Sequence, residues 1–358
     1  RRLSHTFGVT GTALGWQRSY LESRSTFVRW RQISSDLFPL NCGVPQGSAL
    51  GPLLFSMYIA PLSSVINSFG VNHHQYADDA QIYIAAQKAN LLGEVAQLEN
   101  CIASVHSWLQ QNGLLLNPNK SEVIQFTACR GKDRVDDIAA LHVSDAAVQP
   151  SDVIKSLGVT LDRKLTFDQH VTAVCKASYF HIRALRHVRE SLPEEIARTV
   201  ACSVVGSRLD YCNSLYAGMS KQNFNKLQRV QNTFARVVLR RGKFEHIKPA
   251  LTELHWLPVE HRVTHKLATL TFRIINTHQP AYLRELLVDY EPPRTLRSSN
   301  KHLLTTTRTN LVLASRGFRH SAAATWNNLP DHIRDPSLSF DIFKRKLKTY
   351  LFNSTLTD

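Results

Sequence analysis

Two adjacent aspartates, Asp78 and Asp79, sit in the run His74-Gln75-Tyr76-Ala77-Asp78-Asp79-Ala80-Gln81-Ile82-Tyr83-Ile84. On a dry surface the pair would repel each other. A hard cation turns that repulsion into affinity, because Mg2+, or Mn2+ in its place, takes carboxylates together with phosphate oxygens. The flanks alternate, Tyr76, Ala80, Ile82 and Ile84 against Gln75, Gln81 and Tyr83, which predicts two short strands meeting at a turn around 77–79. A carboxylate pair at a hairpin tip is held rigidly and pushed into solvent. The chemistry that uses such a pair is two-metal phosphoryl transfer, in which the ions clamp the attacking and leaving oxygens. A plain solvated Asp-Asp turn is the alternative, and the neighbourhood decides between them.

Upstream, Gly43-Val44-Pro45-Gln46-Gly47-Ser48-Ala49-Leu50-Gly51-Pro52-Leu53-Leu54-Phe55 begins as a Pro- and Gly-punctuated loop and runs into an apolar helix. Gly47 and Gly51 permit close approach of another backbone or a nucleotide, and Ser48 is placed to cap the helix. A loop of this kind also offers free N–H groups to a phosphate. Together the two segments resemble the palm of reverse transcriptases, and the wording Gly-Val-Pro-Gln-Gly-Ser followed by Tyr-Ala-Asp-Asp is similar to the non-LTR (LINE-type) retrotransposon branch, near its jockey-like and chicken-repeat lineages. The resemblance implies an RNA-directed DNA polymerase. Pro45, Gln46, Gly47 and Ser48, with Tyr76 and Ala77, would contact template and incoming dNTP, and Asp78 and Asp79 would hold the metals. It extends to Trp108–Glu122, where Lys120 would lie near the triphosphate and neutralise the departing pyrophosphate. It also covers Ser156-Leu157-Gly158-Val159, where Leu157 and Gly158 would grip the primer end. An exposed turn lysine and an ordinary hairpin are the plain readings of these last two.

Polymerase palms also use a third aspartate, from a strand ahead of the Pro-Gln-Gly loop. In residues 1–42 the only aspartate is Asp36, in a context unlike the family's Ala-Phe-Asp, and Phe7–Leu21 resembles the segment just after that strand. The expectation is therefore an amino-terminally truncated piece, with a non-catalytic nucleic-acid-binding remnant as the alternative function.

Composition fits a polyanion partner. The 358 residues are 43% hydrophobic with 16 Phe, ample for a buried core, and carry a net charge of +15. Between Arg163 and Glu245 fifteen Lys and Arg face six Asp and Glu. That basic stripe is the footprint of nucleic acid, here RNA template with DNA primer or their hybrid. A membrane is not expected as a partner: the apolar stretch around Leu53–Leu62 is broken by Ser56 and Pro61 and is too short to span. Cys42, Cys101, Cys129, Cys175, Cys202 and Cys212 show no Cys-x-x-Cys pairing and read as reduced, buried thiols of an intracellular protein, nuclear or cytoplasmic.

The organisation predicted is α+β. Residues 1–162 form a partial palm, an antiparallel sheet with helices: helix over 1–30, a strand pair, the loop, helix over about 48–67, the Asp-Asp hairpin, then a long helix through Leu91, Leu92, Val95, Leu98, Ile102, Val105, Trp108 and Leu109 stopped by Asn112-Gly113. Residues 163–245 form a helical thumb of three basic helices, with stripes Val171–Val188, Ile196–Val200–Val204–Leu209 and Phe224–Val238, and with Arg186, Arg229 and Arg236 on a cationic face. Residues 246–358 form a carboxy-terminal helical region whose function the residues do not name. In it His261 and His265 stand one turn apart without the Glu or Cys that zinc spacing requires, so helix-face histidines are the better reading. Pro292–Lys301 reads as a linker, and the block Arg316–Pro330 with a helix over about 338–352 as a small helical module, its apolar residues running from Trp326 to Leu351.

Overall fold

The computed structural model describes residues 2–44, 47–127, 138–292, 302–309 and 311–356. The chain divides into two compact units, Arg1–Val123 with Asp137–Pro150, and Ile124–Asp136 with Ser151–Asp358. Among the described residues every named strand belongs to a two-stranded antiparallel pair.

In the first unit, α1 (Arg2–His5) and α2 (Gly11–Leu21) precede four short strands: β1 (Arg24–Thr26), β2 (Arg29–Trp30), β3 (Ile33–Ser34) and β4 (Phe38–Leu40). β1 pairs with β4 and β2 with β3, a hairpin nested inside another. The helix expected over 1–30 thus ends at Leu21. Phe27, Val28 and Trp30 fit a pleated ribbon better than a helix, and Ser23 and Arg31 take left-handed φ values of 54° and 56°, which a helix interior does not accept.

The single helix expected from Ser48 to Asn67 is two, α3 (Gly51–Ile59) and α4 (Leu62–Asn67). Pro61 has no N–H to continue the ladder and its ring crowds the preceding turn, so the helix restarts there. β5 (Asn72–Tyr76) and β6 (Asp79–Tyr83) follow as an antiparallel hairpin. α5 (Leu91–Gln111) is the long amphipathic helix expected, burying Cys101, Ile102, Val105 and Leu109, although Leu92 in its first turn is exposed. Gly113, at φ 65°, ends it: the Leu114 N–H turns back to donate to the Leu109 carbonyl at 2.8 Å. α5 also supports β7 (Leu141–Val143), which pairs with β8 (Ala146–Val148). Ile59, Leu62, Ile66 and Val71 close the core from the other side, and Ile82 of β6 leans on it. Each such side chain contributes roughly 1.5–3 kcal/mol when fully buried.

The second unit opens with the hairpin β9 (Val153–Ser156) and β10 (Val159–Asp162). It continues as α6 (Asp168–Val188), α7 (Glu194–Ala201), one π-helical turn over Cys202–Gly206, α8 (Ser207–Asp210) and α9 (Lys221–Val238). α9 is the central helix. Its Leu227, Val230, Phe234 and Val238 are buried against α6, α7, α10 (Ile247–Glu253) and α11 (Val259–Thr277). The expected stripe holds only at its end. Leu209 is buried, but Ile196 and Val200 face solvent and their neighbours Ala197, Ala201 and Val205 are buried instead. Small residues let the backbones of α7 and α9 approach, which the larger Ile and Val would prevent.

α12 (Ala281–Arg284), α13 (Val312–Arg316), α14 (Phe318–Asn327) and α15 (Phe340–Leu356) complete the unit. Trp326, Leu329, Phe343, Leu347 and Leu351 share one core with Ala268, Phe272 and Ile274 of α11, so the terminal helices are continuous with the helices before them rather than a separate module. Phe272 and Phe343 stack at 4.0 Å. Residues 293–301 of the expected linker, and Cys129, lie outside the described residues. Cys42, Cys101, Cys175, Cys202 and Cys212 are free thiols, but only Cys101 is fully buried, and Cys42 and Cys202 are exposed. No described helix is long and apolar enough to cross a membrane.

Candidate active site

The two aspartates occupy the tip of the β5–β6 hairpin. Tyr76 pairs with Asp79, which leaves Ala77 and Asp78 as the turn. Ala77 is left-handed at φ 54°, a conformation a methyl side chain tolerates better than a branched one, and tight two-residue hairpin turns demand it. Both carboxylates are exposed, and neither makes a hydrogen bond or ion pair with any described residue. They are open oxygen donors on a stiff ribbon. The stiffness has identifiable sources: His74 and Tyr83 stack on one face, 5.4 Å between centroids with Tyr83 Oη 3.2 Å from His74 Nε2. On the other face Ile82 reaches the core. Burial first, then the adjacent His74, holds His73 below its ordinary value, so it is neutral at pH 7.

Two hard carboxylates match the donor chemistry of a divalent cation. Among the described residues no third His, Cys, Asp or Glu joins them in a ligand group. Asp36 follows β3 as an exposed residue with its backbone carbonyl accepting from Ser35 Oγ at 3.0 Å.

The Gly43–Ser48 segment is described only in part, since Pro45 and Gln46 lie outside the described residues. Gly43 and Gly47 have φ of 73° and 86°, and nothing lies within 4 Å of a Cβ built on either, so backbone conformation alone demands glycine there. Arg24 donates to the Gly43 carbonyl and, at 3.3 Å, to that of Leu21, tying the loop to α2. Ser48 is not the side-chain cap expected. α3 starts after Leu50; the Ser48 carbonyl accepts from the Gly51 N–H at 3.2 Å, and its buried hydroxyl has no hydrogen-bond partner among the described residues. Lys120 ends the short 3-10 turn Pro118–Lys120 and is exposed; Asn117 Oδ1 fixes that turn by accepting from the Asn119 N–H at 3.1 Å.

Leu157 and Gly158 form the two-residue turn of the β9–β10 hairpin, at φ 44° and 80°. Both central residues left-handed define the tight turn for which Asn-Gly is the preferred sequence, so Leu157 is held against its preference. What holds it is Tyr211. Its hydroxyl donates to the Leu157 carbonyl at 2.5 Å, and its ring lies 3.4 Å from where a Cβ on Gly158 would stand. Below the turn Asp162 gathers the Lys164, Thr166 and Phe167 N–H groups at 3.1, 2.9 and 2.7 Å. Tyr211 carries no sequence signal, being 54 positions away; Asp162 four residues before a Thr-Phe-Asp helix start was the one legible hint.

The basic helices are less uniformly available than their composition implies. Arg189 is buried, donating to the Val238 carbonyl at 2.8 and 2.6 Å and to that of Leu192 at 2.7 Å. Arg236 donates to the Glu245 carbonyl at 2.8 Å, and Arg198 and Arg241 pair with Glu194 and Glu253 at 2.6 and 2.5 Å. Arg236, seven residues from Arg229, lies on the same side of α9 but gives one guanidinium N–H to its own unit. Lys176, Arg183 and Arg186 of α6 and Arg229 of α9 are exposed and make no ion pair with any described residue. Exposed Phe180 lies between Lys176 and Arg183 along α6. His261 and His265 are half-buried in helix packing, and that burial lowers both.

A rigid hairpin thus presents two free carboxylates, preceded along the chain by a glycine-shaped loop. Residues 2–161 match the family described as reverse transcriptase (RNA-dependent DNA polymerase). The relatives the chain is similar to are mobile-element polymerases, that of the jockey element among them. The chain is 27% identical over 79% of its length to the probable RNA-directed DNA polymerase from transposon BS of Drosophila melanogaster, covering 31% of that protein. To the RNA-directed DNA polymerase from mobile element jockey of the same organism it is 24% identical over 60% of its length, covering 24% of the relative. To the probable RNA-directed DNA polymerase from transposon X-element the figures are 25%, 75% and 28%. The chain thus spans about a third or less of these relatives. No solved structure matches it.

Proposed function

We propose that this chain is part of an enzyme that copies RNA into DNA, with Asp78 and Asp79 as the metal-holding carboxylates. The observation that carries the reading is the pair of unpartnered carboxylates at a braced hairpin tip, within the segment that matches reverse transcriptases. Bound there, Mg2+ or Mn2+ would supply charge neutralisation for phosphoryl transfer. In the reaction the primer 3′-oxygen forms a bond to the α-phosphorus of a dNTP and the bond to the β-phosphate breaks. The hydroxyl proton goes to solvent and pyrophosphate leaves. Lys120 is suited to donate to that leaving group. Gly47 and Ser48, with Pro45 and Gln46 of the same loop and with Tyr76 and Ala77, are assigned to template and nucleotide. Leu157 and Gly158 are assigned to the primer end. Residues 163–245 act as a thumb, with Lys176, Arg183 and Arg186 on duplex phosphates, which position without reading sequence.

A second reading is favoured by a ligand group of only two carboxylates among the described residues: a nucleic-acid-binding remnant without catalysis. Primer extension on an RNA template, with Mg2+ or Mn2+, separates the two. Extension that Asp78→Ala abolishes while hybrid binding persists supports the polymerase. Salt-dependent hybrid binding with no extension, and no change on Asp78→Ala, supports the remnant.

A further inference from the structure

α15 lies outside the residues that match the reverse transcriptase family, and its exposed side is cationic. Lys344, Arg345, Lys346 and Lys348 occur within five positions of a helix whose first turn holds one acid, Asp341. The opposite side is fixed: Phe343 and Leu347 are completely buried and Leu351 nearly so. At 3.6 residues per turn, Arg345 points directly away from that core, and Lys344 and Lys348 fall together on one flank. Lys346 falls on the other flank, where its charge lowers Asp335, whose carboxylate is chiefly held down by hydrogen bonds from Ser337.

The Lys344–Lys348 flank faces α11. There the half-buried His265 ring meets the backbone of Lys344 and feels the charges of Lys348, Lys344 and Lys266; burial is the largest influence and the lysines add to it, so the imidazole stays neutral. No acid enters that cluster from α11. Lys344 Nζ stands 5.3 Å from the Phe340 ring, and Lys266, Lys344, Arg345 and Lys348 make no ion pair with any described residue, Asp341 included. Arg198, Arg236 and Arg241, by contrast, are consumed by carboxylates and carbonyls of their own unit.

We propose that Lys344, Arg345 and Lys348 of α15, with Lys266 of α11, form a second contact surface for a nucleic-acid phosphate backbone. Like charges brought together on a rigid support repel one another, and a polyanion relieves that repulsion while releasing its own counterions. The spacing suits the ligand. Lys344 and Lys348 are about 6 Å apart along the helix axis, close to the rise of two phosphates of one strand along a duplex axis, about 3.4 Å each. Long flexible lysines grip phosphates as point charges and ask for no base identity. The surface is independent of the metal site and of the α6 cations, so it extends the grip on nucleic acid beyond the proposed thumb.

The test is fluorescence anisotropy of the full chain with labelled single-stranded RNA, single-stranded DNA and RNA–DNA hybrid of one sequence, across ~50–200 mM salt. The triple variant Lys344→Gln, Arg345→Gln, Lys348→Gln should bind about ten-fold more weakly, and the slope of log affinity against log salt should shrink by about 2 to 3. The charge-keeping variant Lys344→Arg, Arg345→Lys, Lys348→Arg should bind like the parent. Loss confined to RNA-containing or to DNA-containing ligands names the strand held. Lys176→Gln with Arg183→Gln should add its own separate loss, so a failure of the thumb assignment leaves the α15 result readable. Unchanged affinity and slope on all three ligands would overturn the proposal and leave the arc to an acidic protein partner. A loss that persists in the charge-keeping variant would overturn it too, since packing rather than charge would then be its cause.

Discussion

Residues 24–40 and α9 are built from similarly apolar sequence and end in opposite environments. In the nested hairpins Val28, Trp30, Ile33 and Leu37 remain between 67% and 75% exposed, and among the described residues none before Ile59 is buried. In α9 the residues from Asn223 to Val238 bury along their length, with four other helices packed around them. The first unit carries every metal and nucleotide residue assigned above, yet has the thinner core. The second carries most of the packing and few residues whose chemistry can be named. The difference has a physical origin. Residues that meet a ligand must stay open, so their types are set by that ligand and can be recognised one by one. Residues that meet a core must only be apolar and of suitable size, and many sequences satisfy that.

This contrast should be measurable as uneven stability. Phe234→Ala, in a side chain 1% exposed and stacked 5.2 Å from Trp256, should cost about 3–5 kcal/mol in urea unfolding. Trp30→Ala, an equally drastic truncation at 71% exposure, should stay within about 0.5 kcal/mol. Hydrogen exchange should likewise open residues 24–40 first and α9 last. Equal costs for the two substitutions would break the comparison and mean that residues 24–40 are packed in solution.

Acidification should weaken the second unit, with three histidines that burial keeps neutral, more than the first, which has His73. His170 is buried, with Nδ1 accepting from the Thr160 N–H at 3.2 Å, and burial holds its pKa below 6.5, as it does for His261 and His265. For a base whose folded pKa is depressed, the stabilisation is complete above the unfolded value and is lost as pH falls below it, because folding must then expel a proton. The urea midpoint of the second unit should therefore drop between pH 7 and pH 5, near the ordinary histidine value of about 6.5. A His170→Asn variant should flatten part of that drop, whereas a midpoint independent of pH in this window would show that the imidazoles are not held neutral.

The smallest effects should appear at the β9–β10 turn. Tyr211→Phe removes the hydrogen bond to the Leu157 carbonyl and should cost about 1 kcal/mol, while Leu157→Asn, matching the left-handed backbone, should gain a comparable amount. If Leu157→Asn stabilises the fold yet weakens hybrid binding, the leucine is kept for its ligand. If binding is unaffected, its assignment to the primer end fails.

Much of the segment that matches reverse transcriptases was legible in the sequence for local reasons. Asp78-Asp79 between alternating flanks specifies a hairpin tip, and Asn112-Gly113 after a period of three and four specifies where α5 stops; neither needs a distant residue. The expectations that failed were those in which a distant partner decided. Ile196 and Val200 have the periodicity of a buried stripe, but the closeness of α9 chose the alanine face beside it. Arg236 counts as surface charge in composition, but a carbonyl nine residues away drew it inward. Cys42 and Cys202 look like core residues by type and lie in the open.

By itself, then, the sequence determined the chemistry on offer, two carboxylates, a glycine-shaped loop and a strongly basic second half, and it determined the local turns that display them. Only the tertiary structure decided which cations are consumed by their own unit and which stay free, that Tyr211 clamps the Leu157–Gly158 turn, and that α15 lies in the α11 core with its lysines outward. Those outcomes depend on hydrogen bonds and packing between residues tens of positions apart, where close approach and burial select among side chains that are equivalent in type and periodicity.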